Sequence, residues 1–179
     1  MLVSRLFLVG WLLPQAAALP PIGAKRAGEC TPAVSNHVQA DVQSMMRAVD
    51  AGDVETTVRF THPKVIELLG GPDTTRQVLQ RLFVSARESG MNREAVSFPA
   101  PPTCVSAGRR HFAIVPTVTV FSTKIGRIES LNYQLGVKDP KQRDWTYLDG
   151  SRVNARTVYQ FFPEFPKDFK FPSTYRKPL

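Results

Sequence analysis

Apolar and polar positions alternate most cleanly from Glu129 to Val137. Leu131, Tyr133, Leu135 and Val137 take one parity, and Ser130, Asn132 and Gln134 take the other. A period of two over that length predicts a strand with one buried face. Phe112–Phe121 alternates as well, but both parities are apolar or β-branched: Phe112, Ile114, Val118 and Val120 against Ala113, Val115, Thr117, Thr119 and Phe121. This is the pattern of a central strand covered on both sides. Pro116 interrupts it, because proline cannot donate to a ladder, so an edge or a bulge is expected there. The polar loop Ser122–Gly126 joins the two strands. A second polar loop, Lys138–Asp144, leads to a short strand at Trp145–Leu148, which ends on the turn signal Asp149-Gly150. Together these segments predict a curved antiparallel sheet with an apolar, aromatic inner face.

Upstream the period changes to that of helices. Val38, Val42, Met45 and Val49 put one apolar face on a helix over Ser35–Ala51, with Ser35 or Asn36 as its cap and Gly52 as a left-handed stop. Asp53 caps a short second helix to about Phe60, which Thr61-His62-Pro63 ends. Lys64–Leu69 fits a helical turn or a strand. After Gly70-Gly71, Asp73 or Thr74 caps a further helix to about Ser89, with Val78, Leu79, Leu82, Phe83 and Ala86 as its apolar stripe. Ala95–Phe98 predicts a first strand, the prolines of 99–102 a bend, and Thr103–Ser106 a continuation of the sheet. Asn154–Phe161 suits a short helix. Phe161, Phe162, Phe165, Phe169 and Phe171 then predict an extended strap over the back or edge of the sheet, an exposed partner-binding patch being the alternative.

The N-terminus changes the compartment. Arg5, the apolar run Leu6–Leu13 and Ala16-Ala17-Ala18 form the n-region, h-region and A-x-A site of a signal peptide over residues 1–18, cleaved after Ala18. The run is shorter than the ~20 residues a spanning helix needs. The chain is therefore expected to be exported, to the periplasm or the extracellular space, with no transmembrane segment after processing. Residues 19–33 look like a flexible leader, and 34–179 like a single domain. The only cysteines are Cys30 and Cys104. In an exported chain they invite one disulfide, although two free thiols remain open at this stage.

Length and composition add less. A chain of 179 residues supports one domain with its own core. The net charge of +8 comes from scattered Lys and Arg, without the clustering of a nucleic-acid arm, so no nucleic-acid partner is expected. No cofactor motif is present: there is no P-loop, G-x-G-x-x-G or G-x-S-x-G. The three histidines, His37, His62 and His111, lack metal-ligand spacing, and no metal site is expected.

The succession of helix, short helix, Thr61–Gly71, helix and strand meander resembles the nuclear-transport-factor-2-like superfamily. Ala51-Gly52-Asp53 and the blocks around His111, Leu131, Trp145 and Tyr159 carry the likeness, over about Val34 to Pro172, and they look like secreted bacterial members of that kind. The resemblance implies an α+β cone, with N-terminal helices packed on a curved antiparallel sheet around a possible internal pocket. It also implies a superfold that hosts both enzymes and binders. In such a cone the short second helix would deliver His62 to the mouth, while Tyr133, Trp145 and Tyr147 could line an aromatic wall. The blander alternatives are a histidine satisfying a carbonyl and core aromatics with hydrogen-bonded tips. Glu129 and Asp149 suit a surface ion pair and a turn cap, which leaves the inner face without an acid. The expectation is a non-catalytic protein that binds a small, mostly apolar molecule or a protein partner, with a homodimer possible. A general acid–base lyase or isomerase is the alternative.

Overall fold

A computed structural model describes residues 25–153 and 155–179. The expected signal peptide and residues 19–24 lie outside them. Strand β1 (Lys25–Glu29) is followed by four helices: α1 (Pro32–Ala51), α2 (Val54–Phe60), α3 (Pro63–Leu68) and α4 (Pro72–Glu88). Strands β2 (Asn92–Ser97), β3 (Thr103–Ala107), β4 (Arg110–Thr123), β5 (Gly126–Lys138) and β6 (Thr146–Asp149) then form the sheet. A short helix, α5 (Ala155–Phe161), and a last strand, β7 (Tyr175–Pro178), complete the chain. The fold is α+β, with an open, curved, antiparallel sheet.

The hairpin β4–β5 is the spine. It runs from His111 opposite Lys138 to Thr123 opposite Gly126 without a slip. Two short strands share each outer edge of this spine: β3 and β2 lie along β4, while β6 and β7 lie along β5. Pro116 falls between Ile114, where β3 pairs, and Val118, where β2 pairs. Its missing N–H therefore coincides with a local edge, and no bulge forms against β5, where it faces Tyr133.

Both faces of the spine are buried, as the sequence predicts. One holds Phe112, Ile114, Tyr133, Leu135 and Val137, covered by Val158 and Phe162 around α5 and by Phe165. The other holds Ala113 and Val115 with Trp145 and Tyr147, covered by Val38, Val42 and Met46 of α1. Each valine, leucine, isoleucine, methionine or phenylalanine among them contributes roughly 1.5–3 kcal/mol by leaving water. The aromatic tail lies inside: Phe165 meets Phe112 edge-on at 4.9 Å and stacks on Phe171 at 5.5 Å.

Helix ends follow local chemistry. Gly52 closes α1 at φ 72 and its N–H bonds back into the last turn, while the Asp53 side chain caps α2 through Thr56. Three readings change. Helix α1 starts at Pro32, with Thr31 as its cap rather than Ser35 or Asn36. The cap of α4 is Gly71 with Pro72 following, and Asp73 pairs with Arg76 instead. The Lys64–Leu69 ambiguity resolves as helix. The stripe on α4 is only half covered, since that helix packs chiefly on α2 and α3 and Leu82 stays exposed.

Lys25–Glu29 forms a strand where the sequence predicts a loose leader. It pairs with β3, and the Cys30–Cys104 disulfide, with its Cα atoms 4.8 Å apart, fastens that pairing. The bond spans a separation of 74 residues, which the loop-entropy relation values at about 4 kcal/mol. Replacing both cysteines with alanine is expected to lower the unfolding free energy by about 2–4 kcal/mol in urea titration. An unchanged midpoint would show that the bond adds nothing to stability.

Candidate functional site

His62 stands at the start of α3, where Pro63 forces the preceding residue out of the helical region. Its Nδ1 accepts the Lys64 N–H at 3.1 Å, so the imidazole itself is the N-cap. Its backbone N–H donates to the Tyr147 carbonyl at 3.0 Å, tying the helical layer to β6. The ring is buried and meets Phe162 edge-on at 5.2 Å, and Nε2 has no hydrogen-bond partner among the described residues. Burial pushes its pKa from 6.5 down to about 4; nearby Asp139 opposes that shift, while Lys64 and Arg110 add to it.

Tyr133 lies on the same face. Its hydroxyl donates to the Val153 carbonyl and its ring stacks on Phe171 at 5.9 Å. Burial, and after it the Asp149 carboxylate, pushes its pKa up to about 12. No carboxylate stands within hydrogen-bond reach of either His62 or Tyr133 among the described residues. Phe162 packs against the His62 ring and Phe171 against the Tyr133 ring.

Trp145 and Tyr147 are on the opposite face, because their parity along the strand turns them towards α1. Gly136 makes room for both rings: a Cβ there would stand 3.0 Å from Tyr147 Cε1 and 3.3 Å from Trp145 Cε3. The Tyr147 hydroxyl donates to Asp41 Oδ2 at 2.9 Å, and that oxygen lies 3.5 Å from His37 Nε2 one turn earlier on α1. Burial and the adjacent Asp41 carboxylate hold the Tyr147 hydroxyl far above the usual phenol range. The four expected pocket residues are thus divided by the sheet, two on each side.

A groove of about 540 Å³ opens on the α1 face, at the sheet end where that helix begins. Val34, Cys104 and Trp145 supply apolar lining, and Ser106, His111 and Lys138 supply polar groups. Of the four expected residues, only Trp145 lines it. Ser106, His111 and Lys138 form one row across β3, β4 and β5, paired in register. Ser106 Oγ and His111 Nδ1 are 2.9 Å apart, and Lys138 Nζ sits 6.0 Å above the Trp145 ring. Glu29 and Thr31 also line the groove.

Sequence reasoning missed this set because its members are distant in the chain. Two signals were available. The turn Gly108-Arg109 between β3 and β4 places Ser106 opposite His111, and the spacing of His37 and Asp41 puts both on one helix face. No grouping of three metal-binding side chains occurs among the described residues.

Because burial favours neutral His62 in the folded state, the unfolded chain takes up a proton that the folded chain refuses between pH 6.5 and about 4. Stability therefore falls as pH drops through that window and levels off below it, by up to about 3 kcal/mol at 1.36 kcal/mol per unit. His62→Asn keeps a capping acceptor and lacks the titration. Denaturant titrations at pH 7 and pH 4 are expected to show wild type losing more stability than this variant. Equal losses would exclude His62 as the source.

Comparison with protein-family models, curated proteins and solved structures returned no match for this chain.

Proposed function

We propose that this is an exported binding protein of the nuclear-transport-factor-2-like kind, holding a small, mostly apolar molecule in the groove over Trp145. The observation that carries the reading is the groove itself. Its volume of about 540 Å³ suits a small ligand, its lining is more apolar than polar, and its few polar groups converge from three neighbouring strands. The opposite face favours a rigid support, since the tail aromatics already occupy it. Export is supported by the N-terminal pattern and by a disulfide, which persists in oxidising compartments. None of the helices among the described residues is long and apolar enough to cross a membrane.

A second reading has one specific observation behind it. The chain Tyr147–Asp41–His37 places a phenol, a carboxylate and an imidazole in contact beside the groove's tryptophan. Such a set could move a proton in a lyase or isomerase reaction.

Native mass spectrometry of protein purified from its own host, before and after denaturation, tests both readings. A small mass that leaves on denaturation is expected, and Trp145→Ala is expected to reduce its occupancy at least ~10-fold, about 1.4 kcal/mol. A bare chain in every preparation, with no shift in melting temperature against a panel of small apolar acids and neutrals, would overturn the binding reading.

The recovered molecule separates the second reading from the first. Incubation with fresh protein is expected to return it unchanged if the protein only binds. Loss of water or a new isomer, abolished by Tyr147→Phe and Asp41→Asn, would establish acid–base catalysis instead.

A further inference from the structure

The polar row in the groove indicates which molecules would fit. We infer that the ligand carries a compact anionic group, a carboxylate or sulfonate, on its apolar body, held by Lys138 and His111 with the body against Trp145. This rests on the groove being the binding site.

The argument begins with register. His111 is the direct cross-strand partner of Lys138, and Ser106 is the direct partner of His111. Partners so placed have Cβ atoms about 4.5–5.5 Å apart, which lets one small anion reach more than one of the three. Ser106 Oγ occupies His111 Nδ1 at 2.9 Å, leaving Nε2 as the ring atom available to a ligand. Lys138 has no carboxylate within 4.0 Å among the described residues; its Nζ stands over the face of Trp145. By contrast, Arg110, at the neighbouring position on β4, is neutralised by Asp139 and Glu164. An ammonium held over an indole and beside an imidazole lacks a counterion, and an anion would supply it.

Glu29 is the acid that lines the groove, and its place decides whether it competes. On β1 it stands opposite Thr103, whereas the polar row begins at Ser106, three residues or about 10 Å further along β3. Lys25 is the β1 residue in register with Ser106. Thr103 pairs with Ile114 on the tail face, so Glu29 is out of parity with the Ser106–His111–Lys138 row as well as distant from it along β3. Trp145 lies beside the row, where an apolar body attached to the anion would rest.

A pair of dyes tests this. 1-Anilinonaphthalene-8-sulfonate and N-phenyl-1-naphthylamine share one aromatic body, and only the first is charged. After cleavage at Ala18, Trp145 is the sole tryptophan, so energy transfer from it to either dye reports binding near the groove; Trp11→Phe serves the same purpose if residues 1–18 are retained. The sulfonate is expected to bind at least ~10-fold more tightly than the neutral dye, about 1.4 kcal/mol. Lys138→Gln with His111→Gln is expected to abolish that advantage, so that the two dyes bind this variant within about twofold of each other. Lys141→Gln, outside the groove, is the control for the basic surface and is expected to change neither dye.

Equal affinity of the two dyes, or an advantage that survives the double substitution, would overturn the anion assignment and leave the groove as an apolar site. Failure of both dyes to take energy from Trp145 would overturn the groove reading and this inference with it. A near-ultraviolet dichroism spectrum matching wild type shows that the variants are folded, and both substituted side chains are at or near the surface.

Discussion

The unbroken register of β4 against β5 is the constraint on which the rest of the molecule depends. A slip of one residue would turn one strand over relative to the other, sending either Phe112 and Ile114 or Leu135 and Val137 towards α1. Neither cover could accept the other's residues: one is built from bulky phenylalanines, the other from the narrow seam of Val38, Val42 and Met46. Complementary filling of the two sides is therefore what holds the register. The short strands depend on it in turn, because each edge of the spine is shared end to end by two of them. Pro116 is tolerated only because it falls between β3 and β2, where neither strand needs its amide hydrogen.

The same alternation decides where function can sit. Side chains that the sequence groups as one aromatic wall are separated by the sheet, and the two sides have different fates. On the Tyr133 side, α5 and the tail bring enough apolar area to close the core. On the Trp145 side, cover comes from α1, with Phe60 of α2 against Tyr147, and the sheet extends beyond the point where α1 begins. The groove is the part of that face α1 does not cover. His62 links the sides, because its ring packs on Phe162 while its backbone holds the carbonyl of Tyr147. It behaves as a structural cap, and the helical layer is indexed to β6 through it.

Much of this was legible in the sequence, for physical reasons that also explain the rest. The two long strands were legible because burial on one or both faces writes a period of two. The end of α1 and the start of α2 were legible because Gly52 and Asp53 do local jobs that few other residues do. The disulfide was available from cysteine number and compartment alone. Strands β1 and β7 were not legible: KRAGE and YRKP carry no alternation, and both strands lie at the outside of the sheet and form by borrowing hydrogen bonds from a neighbour. On α1, Val38 and Val42 of the expected stripe are fully buried, while further along Met46 and Ala48 are buried more deeply than Met45 and Val49, since the side of a helix that meets a curved sheet is a tertiary property. The groove set was illegible for a different reason. Parity says which face a residue takes, but which face stays open depends on where a cover stops.

The disulfide connects these points. Cys104 both lines the groove and holds β1, and the chain between β1 and α1 is only Cys30 and Thr31. The start of α1 is thereby fixed relative to β3, within two residues of a covalent anchor, and so is Val34 on the groove's wall. Opening the bond would free β1, whose pairing is irregular between Lys25 and Gly28, and with it the wall that the helix start provides. The spine and the tail core would remain, because neither draws on the disulfide. Oxidation thus acts on the groove more than on the fold, and an exported life would supply the condition under which the groove is held in shape.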